Sequence, residues 1–144
     1  HLADEGWMDA DAGPLLRYRK QIGAEHMLIL TDIKKKHSAH AATADVSLRE
    51  TAHAAQFFKS DGVIVTGTAT GEAASLADLE ALHGHTDLPV LVGSGITADN
   101  IGAFGKFCDG FIVGSSLKHN GDWRAAVDYE RVARLLNAFD QDKV

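Results

Sequence analysis

The sequence predicts the C-terminal half of a (β/α)8 TIM barrel, an α/β fold built here from four parallel βα units in one domain spanning residues 1–144. Three observations predict it. Short apolar runs of strand length alternate strictly with amphipathic helical segments, which is the pattern of parallel βαβ units with right-handed crossovers. Each run passes directly into small or polar residues at its C-terminal end, and in a β/α barrel those ends converge on one mouth. No G-x-G-x-x-G follows the first strand, as a doubly wound dinucleotide-binding sheet would require.

The strand candidates are residues 27–33, 62–66, 89–92 and 109–113, each rich in branched apolar side chains. Between them, residues 47–60 bring Leu48, Thr51, Ala52, Ala55 and Phe58 to one stripe, and residues 75–83 do the same with Leu76, Leu79 and Leu82. Helix-start signals agree with these limits. Ser47 is followed three residues later by Glu50, the pattern of a capping box; Ser75 precedes Asp78, and Thr97 precedes Asn100. Residues 14–22 read as a helix with Pro14 in its first turn and Gly23 beyond its end. Residues 128–139 close the chain with Val132, Leu135, Leu136 and Phe139 on one side. Residues 1–13 are polar and read as the loop and helix approach that follows a preceding strand.

A whole barrel has eight strands in about 250 residues, so four strands leave two unpaired edges and an uncovered apolar flank. The expected partner is therefore the other barrel half or a second copy. With 14 basic and 20 acidic residues the formal net charge is −6, which argues against nucleic acid as a partner. A single cysteine, Cys108, makes no intrachain disulfide, and no apolar run reaches the length of a membrane span. The expected compartment is the cytosol, without direct membrane insertion.

Gly93-Ser94-Gly95 and Gly114-Ser115-Ser116, at the ends of consecutive terminal strands, are the candidate phosphate-binding residues, since glycine lets backbone N–H groups approach an anion closely. The plain alternative is a pair of tight turns where only small residues fit. Thr66, Gly67 and Thr68 offer hydroxyls and open backbone as candidate ligand-binding residues. Strict alternation along the first strand would put Leu28, Leu30, Asp32 and Lys34 on one face, making Asp32 and Lys34 the candidate catalytic pair, a carboxylate and an ammonium at the mouth. The alternative there is a solvated basic loop. His37 and His40, three apart with Asp32 nearby, are compatible with a metal site but lack a specific ligand pattern and read as loop histidines, and His83 and His85 as structural or exposed; no metal and no cofactor is expected. Trp7 and Trp123 are expected to pack, and Cys108 to be a small core residue.

Five blocks of sequence, in order, carry a likeness to a known family: Asp32-Ile33-Lys34-Lys35-Lys36-His37-Ser38-Ala39-His40; Ala44-Asp45-Val46-Ser47; Gly62-Val63-Ile64-Val65-Thr66-Gly67-Thr68-Ala69-Thr70-Gly71; Leu91-Val92-Gly93-Ser94-Gly95-Ile96-Thr97; and Asp109-Gly110-Phe111-Ile112-Val113-Gly114-Ser115-Ser116-Leu117-Lys118. With Asp128-Tyr129-Glu130-Arg131-Val132 near the end, the chain resembles the BtpA/SgcQ family. The resemblance implies a barrel of the ribulose-phosphate-binding type and a small phosphorylated metabolite as ligand. It also implies a role in the biogenesis of membrane protein complexes, photosystem I in photosynthetic members, reached through a protein partner. Three readings follow: a binder or an isomerase- or lyase-type enzyme acting on sugar phosphates; a non-catalytic assembly factor that keeps a vestigial phosphate site; and an inactive fragment that only pairs its open edges. The resemblance transfers no catalytic residue.

Overall fold

The computed structural model describes residues 1–67 and 72–141. Its centre is a four-stranded sheet of β3 (Leu30–Lys34), β5 (Gly62–Val65), β6 (Val90–Val92) and β7 (Gly110–Phe111), hydrogen-bonded in that order and parallel throughout. The strand ends expected to converge therefore lie side by side at one end of the sheet. All four strands are shorter than the apolar runs that announce them. In β5 and β6 the strand stops where the small and polar residues begin, whereas β3 runs on to Lys34 and β7 ends at Phe111, before Ile112 and Val113.

One face of the sheet carries the core. Val63, Val65 and Val92 are completely buried, and Val90 nearly so, against Ala52 of α2 (Leu48–Phe57), Leu79 and Leu82 of α3 (Leu76–Leu82), Ile101 and Phe104 of α4 (Ile101–Gly105) and Leu135 of α5 (Tyr129–Gln141). Because side chains alternate along a strand, Ile64 and Leu91 point to the other face, where they stay partly exposed and Ile112, just past β7, is exposed.

The helices begin where the sequence says for a local reason. Ser47 accepts a hydrogen bond from the Glu50 N–H at 3.2 Å while its own N–H donates to the Glu50 carboxylate at 2.8 Å, completing the capping box at α2. Ser75 caps α3 through the Asp78 N–H at 3.3 Å. Thr97 and Asn100 behave otherwise. The Asn100 side chain accepts from the Thr97 N–H at 2.8 Å and donates to the Gly95 carbonyl at 2.9 Å, so it clasps the loop, and α4 starts only at Ile101.

Residues 1–13 are not a plain loop. β1 (Leu2–Ala3) and β2 (Gly6–Trp7) form a hairpin, and β1 also pairs antiparallel with β4 (Ser38–Ala39), giving a second, three-stranded sheet beside the first. Two-residue strands are too short to leave a period in the sequence. α1 (Ala12–Gln21) follows and buries none of its residues. Trp7 and Trp123 are 74% and 67% exposed, so neither is packed as expected. Cys108 is half-buried, its thiol pushed up to about 11 chiefly by desolvation, which suits a core residue and makes a poor nucleophile.

Candidate functional site

Three concavities divide the residues singled out in the sequence, two of them at the C-terminal strand ends and one along the β3 edge of the sheet. The largest, about 540 Å³, is lined by Gly93, Ser94 and Gly95 from the loop after β6 and by Gly114, Ser115 and Ser116 from the loop after β7. All six candidate phosphate-binding residues therefore face one space. Among the described residues two cations join them there, Lys36 and Arg131, and no carboxylate lines the space.

Each loop is held by its own chemistry. Gly95 has a φ of +67° and packs so closely on the chain at Glu72 and Ala73 that any Cβ would collide with their backbone; Gly67 meets the same segment. A Cβ on Gly93 would sit 2.7 Å from the Ile64 Cγ2, so its smallness too has a packing cause. Gly114 differs, with nothing within 4 Å of such a Cβ. The Ser116 hydroxyl donates to the Ile96 carbonyl at 2.6 Å and ties the two loops together. Arg131, in the first turn of α5, donates to the Ser116 carbonyl at 3.2 Å and has Asp128 at 3.7 Å. Among the described residues the N–H groups of Gly95, Gly114 and Ser115 meet no protein acceptor. The Ser116 hydroxyl and the small size of Gly93 and Gly95 are thus engaged in building the loops, while Lys36, Arg131 and the residues carrying the unpaired N–H groups all line the space.

A second cavity of about 370 Å³ lies beside it, lined by Lys34, Lys35, Lys36, Thr66 and Gly67 among others. The Thr66 hydroxyl is engaged with the Lys34 carbonyl at 3.1 Å, bridging β5 to β3. Thr68 lies outside the described residues. Lys34 forms an ion pair with Asp78 of α3 at 3.3 Å.

Asp32 and Lys34 are not brought together. Asp32 pairs with Ile64 and Lys34 with Val65, so two residues of β3 span one of β5 and the register shifts between them. This irregularity turns Lys34 to the face of Val65, on the helix side, and leaves Asp32 on the face of Ile64; simple alternation fails because one residue is inserted. Asp32 lines a third, largely apolar cavity of about 420 Å³ between α1 and α2 at the sheet edge. The residue is exposed by surface area, yet enough protein surrounds its carboxyl that desolvation raises it above the usual carboxylate range, against the pull of Lys36 and Lys35.

The residues that alternation missed are Lys36 and Arg131. Lys36 was visible as the third member of a basic run, and it lines both the larger cavity and the one beside it. Arg131 sits on the helix after the last strand, about fifteen residues from the loop it joins, and no local signal marks it. Among the described residues no group of three or more His, Cys, Asp or Glu is placed to hold a metal, and no helix is long and apolar enough to cross a membrane.

Comparison with solved structures concerns the fold. The chain superimposes on thiamine phosphate pyrophosphorylase from Pyrococcus furiosus with a TM-score of 0.54 at 15% identity, covering 94% of this chain and 81% of that one. On a chain of the Amycolatopsis orientalis BexX/CysO complex the TM-score is 0.56 at 19% identity, covering 92% and 49%. Sequence relatives are nearer. A mitochondrial protein of Caenorhabditis elegans is 52% identical over 94% of this chain and 49% of its own length. An Archaeoglobus fulgidus protein is 38% identical over 95% and 52%. The Synechocystis photosystem I biogenesis protein BtpA is 36% identical over 94% and 47%. The chain spans about half the length of the curated relatives it matches. The BtpA family model covers residues 1–141, and with these relatives it establishes that the chain belongs to the BtpA family.

Proposed function

We propose that the larger cavity binds the phosphate group of a small phosphorylated metabolite, and that the four-stranded sheet is half of a barrel whose remaining strands close over its uncovered face. One observation carries the ligand reading: the N–H groups of Gly95, Gly114 and Ser115, without protein acceptors, share a cavity with Lys36 and Arg131 and with no carboxylate. Oriented backbone donors with guanidinium and ammonium are the elements that hold phosphate in proteins. In a chain of net charge −6, a carboxylate-free lining selects for an anion.

In this reading Gly114 leaves room for the ligand, and Arg131 is the fork-shaped donor fixed by Ser116 and Asp128. The pairing of Asp32 with Lys34 as acid and base is not part of it, because the two side chains belong to different faces. The reading is one of binding, with the reaction left to the groups of the whole protein, and the cytosol is the compartment we assign. Calorimetric titration with inorganic phosphate tests it. The Arg131→Met and Lys36→Met variants should each bind about tenfold more weakly, the loss of one charge-assisted contact; unaltered affinity in both would remove the cavity from consideration.

A second reading follows from the Synechocystis relative, whose name ties it to photosystem I biogenesis. In it the chain assists assembly of a membrane protein complex through a protein partner, with the phosphate cavity serving regulation. Affinity capture from lysate that returns a membrane-complex subunit supports it, and return of the protein alone counts against it.

A further inference from the structure

The basic cavity next to the proposed phosphate site has a chemistry of its own. Lys36 lines both spaces, so the 370 Å³ and 540 Å³ cavities meet at one ammonium. The smaller one is bordered by three lysines, by Ser38 and His40, and by a single carboxylate, Asp78. Two of its lysines have carboxylate partners, Lys34 with Asp78 at 3.3 Å and Lys35 with Glu5 at 3.0 Å. Each pair is open to solvent on one side, the Lys34 side chain being 49% exposed against 29% for Asp78, and the Glu5 side chain 63% against 20% for Lys35. Surface pairs of this kind contribute little, and a ligand phosphate offering shorter, charge-assisted hydrogen bonds can replace either carboxylate.

The loop is nonetheless built to a fixed shape. The His40 ring bonds the Lys35 carbonyl at 2.8 Å, Ser38 donates to the Lys36 carbonyl at 3.3 Å, and β4 is stitched to β1. His37 adopts a φ of +54°, a conformation that non-glycine residues hold only when their surroundings enforce it. The lysines are therefore presented by a braced loop rather than by a loose basic tail, which lowers the ordering cost of binding.

Resting on the phosphate reading of the larger cavity, we infer that the ligand carries an anionic group at each end. One is held by the Gly95 and Gly114 loops with Arg131, the other by Lys34, Lys35 and the 37–40 loop, and Lys36 stands between them. This narrows the substrate class to compact compounds such as sugar bisphosphates or phosphorylated sugar acids. Simple monophosphates would fill only half of the site.

Amide NMR during titration of the purified protein with inorganic phosphate tests the two subsites. Two groups of signals should shift, one at Gly95, Gly114 and Ser115 and the other at His37, Ser38 and His40. The bisphosphate of pentanediol should then bind at least about tenfold more tightly than its monophosphate, because the second contact becomes intramolecular. In Lys35→Met that ratio should fall below about threefold, and Lys34→Met gives an independent check if the first variant folds poorly. Phosphate shifts confined to the first group, or a bisphosphate advantage that survives both variants, would overturn the second subsite while leaving the phosphate cavity standing. Absence of both groups of shifts would overturn both readings together.

Discussion

Where the strands of the parallel sheet begin, acidic side chains hold the backbone; where they finish, basic side chains face open space. At the first end the Asp61 carboxylate accepts from the Ile29 N–H at 2.8 Å and from Arg19 at 2.6 Å, and the Asp109 carboxylate accepts from the Val90 N–H at 2.8 Å. Each of these aspartates is the residue just before a strand, and each fastens the neighbouring strand. At the other end Lys36 and Arg131 border a cavity with no carboxylate among its described lining residues. Charges thus do different work at the two ends: the aspartates fasten backbone, while Lys36 and Arg131, the latter anchored by Ser116 and Asp128, line a cavity open to a ligand. In β/α folds the same division separates the stabilising face from the ligand-binding one.

The sharpest way to break this division is at the one place where the binding end is itself rigidly built. Gly95→Ala combines a positive φ with a backbone collision at Glu72 and Ala73, and should cost about 3 kcal/mol, lowering the melting temperature by roughly 10 °C in thermal unfolding. Asp61→Ala attacks the opposite end and should cost about 1 kcal/mol by urea denaturation, the loss of an acceptor for one amide and one guanidinium.

The same aspartate gives a pH test. The Ile29 amide, and then Arg19, hold the Asp61 carboxyl below the usual carboxylate range. A group whose pKa is depressed by folding stabilises the protein above its unfolded pKa, about 3.9 for aspartate, and that contribution disappears as pH falls through the lower folded value. Stability of the native protein should therefore decline as the buffer is taken from neutral to below about pH 4, and Asp61→Asn should flatten that decline. Lys59→Gly, directly after α2, acts in the other direction. Lys59 sits at φ +61°, the left-handed position that glycine fills without strain, so the variant should gain about 0.5–1 kcal/mol. The smallest effect belongs to Lys36→Met, which should move the melting temperature by less than about 2 °C while weakening phosphate binding, since this ammonium serves a ligand rather than the fold.

Much of the framework was legible because its causes are local. The Ser47 and Ser75 caps, the β-branched runs and the placement of the small residues after each strand all follow from neighbours in sequence. What escaped reading depends on long-range geometry. The inserted residue in β3 exists only relative to β5, so alternation along one strand gave the wrong face for Lys34. The β1–β2 hairpin joins β4, more than thirty residues away, to make its sheet. Arg131 reaches the cavity only because α5 folds back beside the loop after β7. For Gly67, Gly93 and Gly95 the plain reading of tight packing holds, and it was Gly114, without a steric cause, that pattern alone could not set apart.

The hairpin changes what counts as a unit in this protein. Its turn residues Asp4 and Glu5 reach His37 at 3.2 Å and Lys35 at 3.0 Å, and the Asp4 N–H donates to the His37 carbonyl at 2.9 Å. Grafting the lysine-rich segment alone onto another scaffold would leave it without the β1–β4 pairing and the Asp4 contacts to His37 that hold its shape. The transplantable module is discontinuous, residues 1–8 together with residues 34–40, and homologous exchange would have to move both pieces at once for the recipient to inherit a working loop.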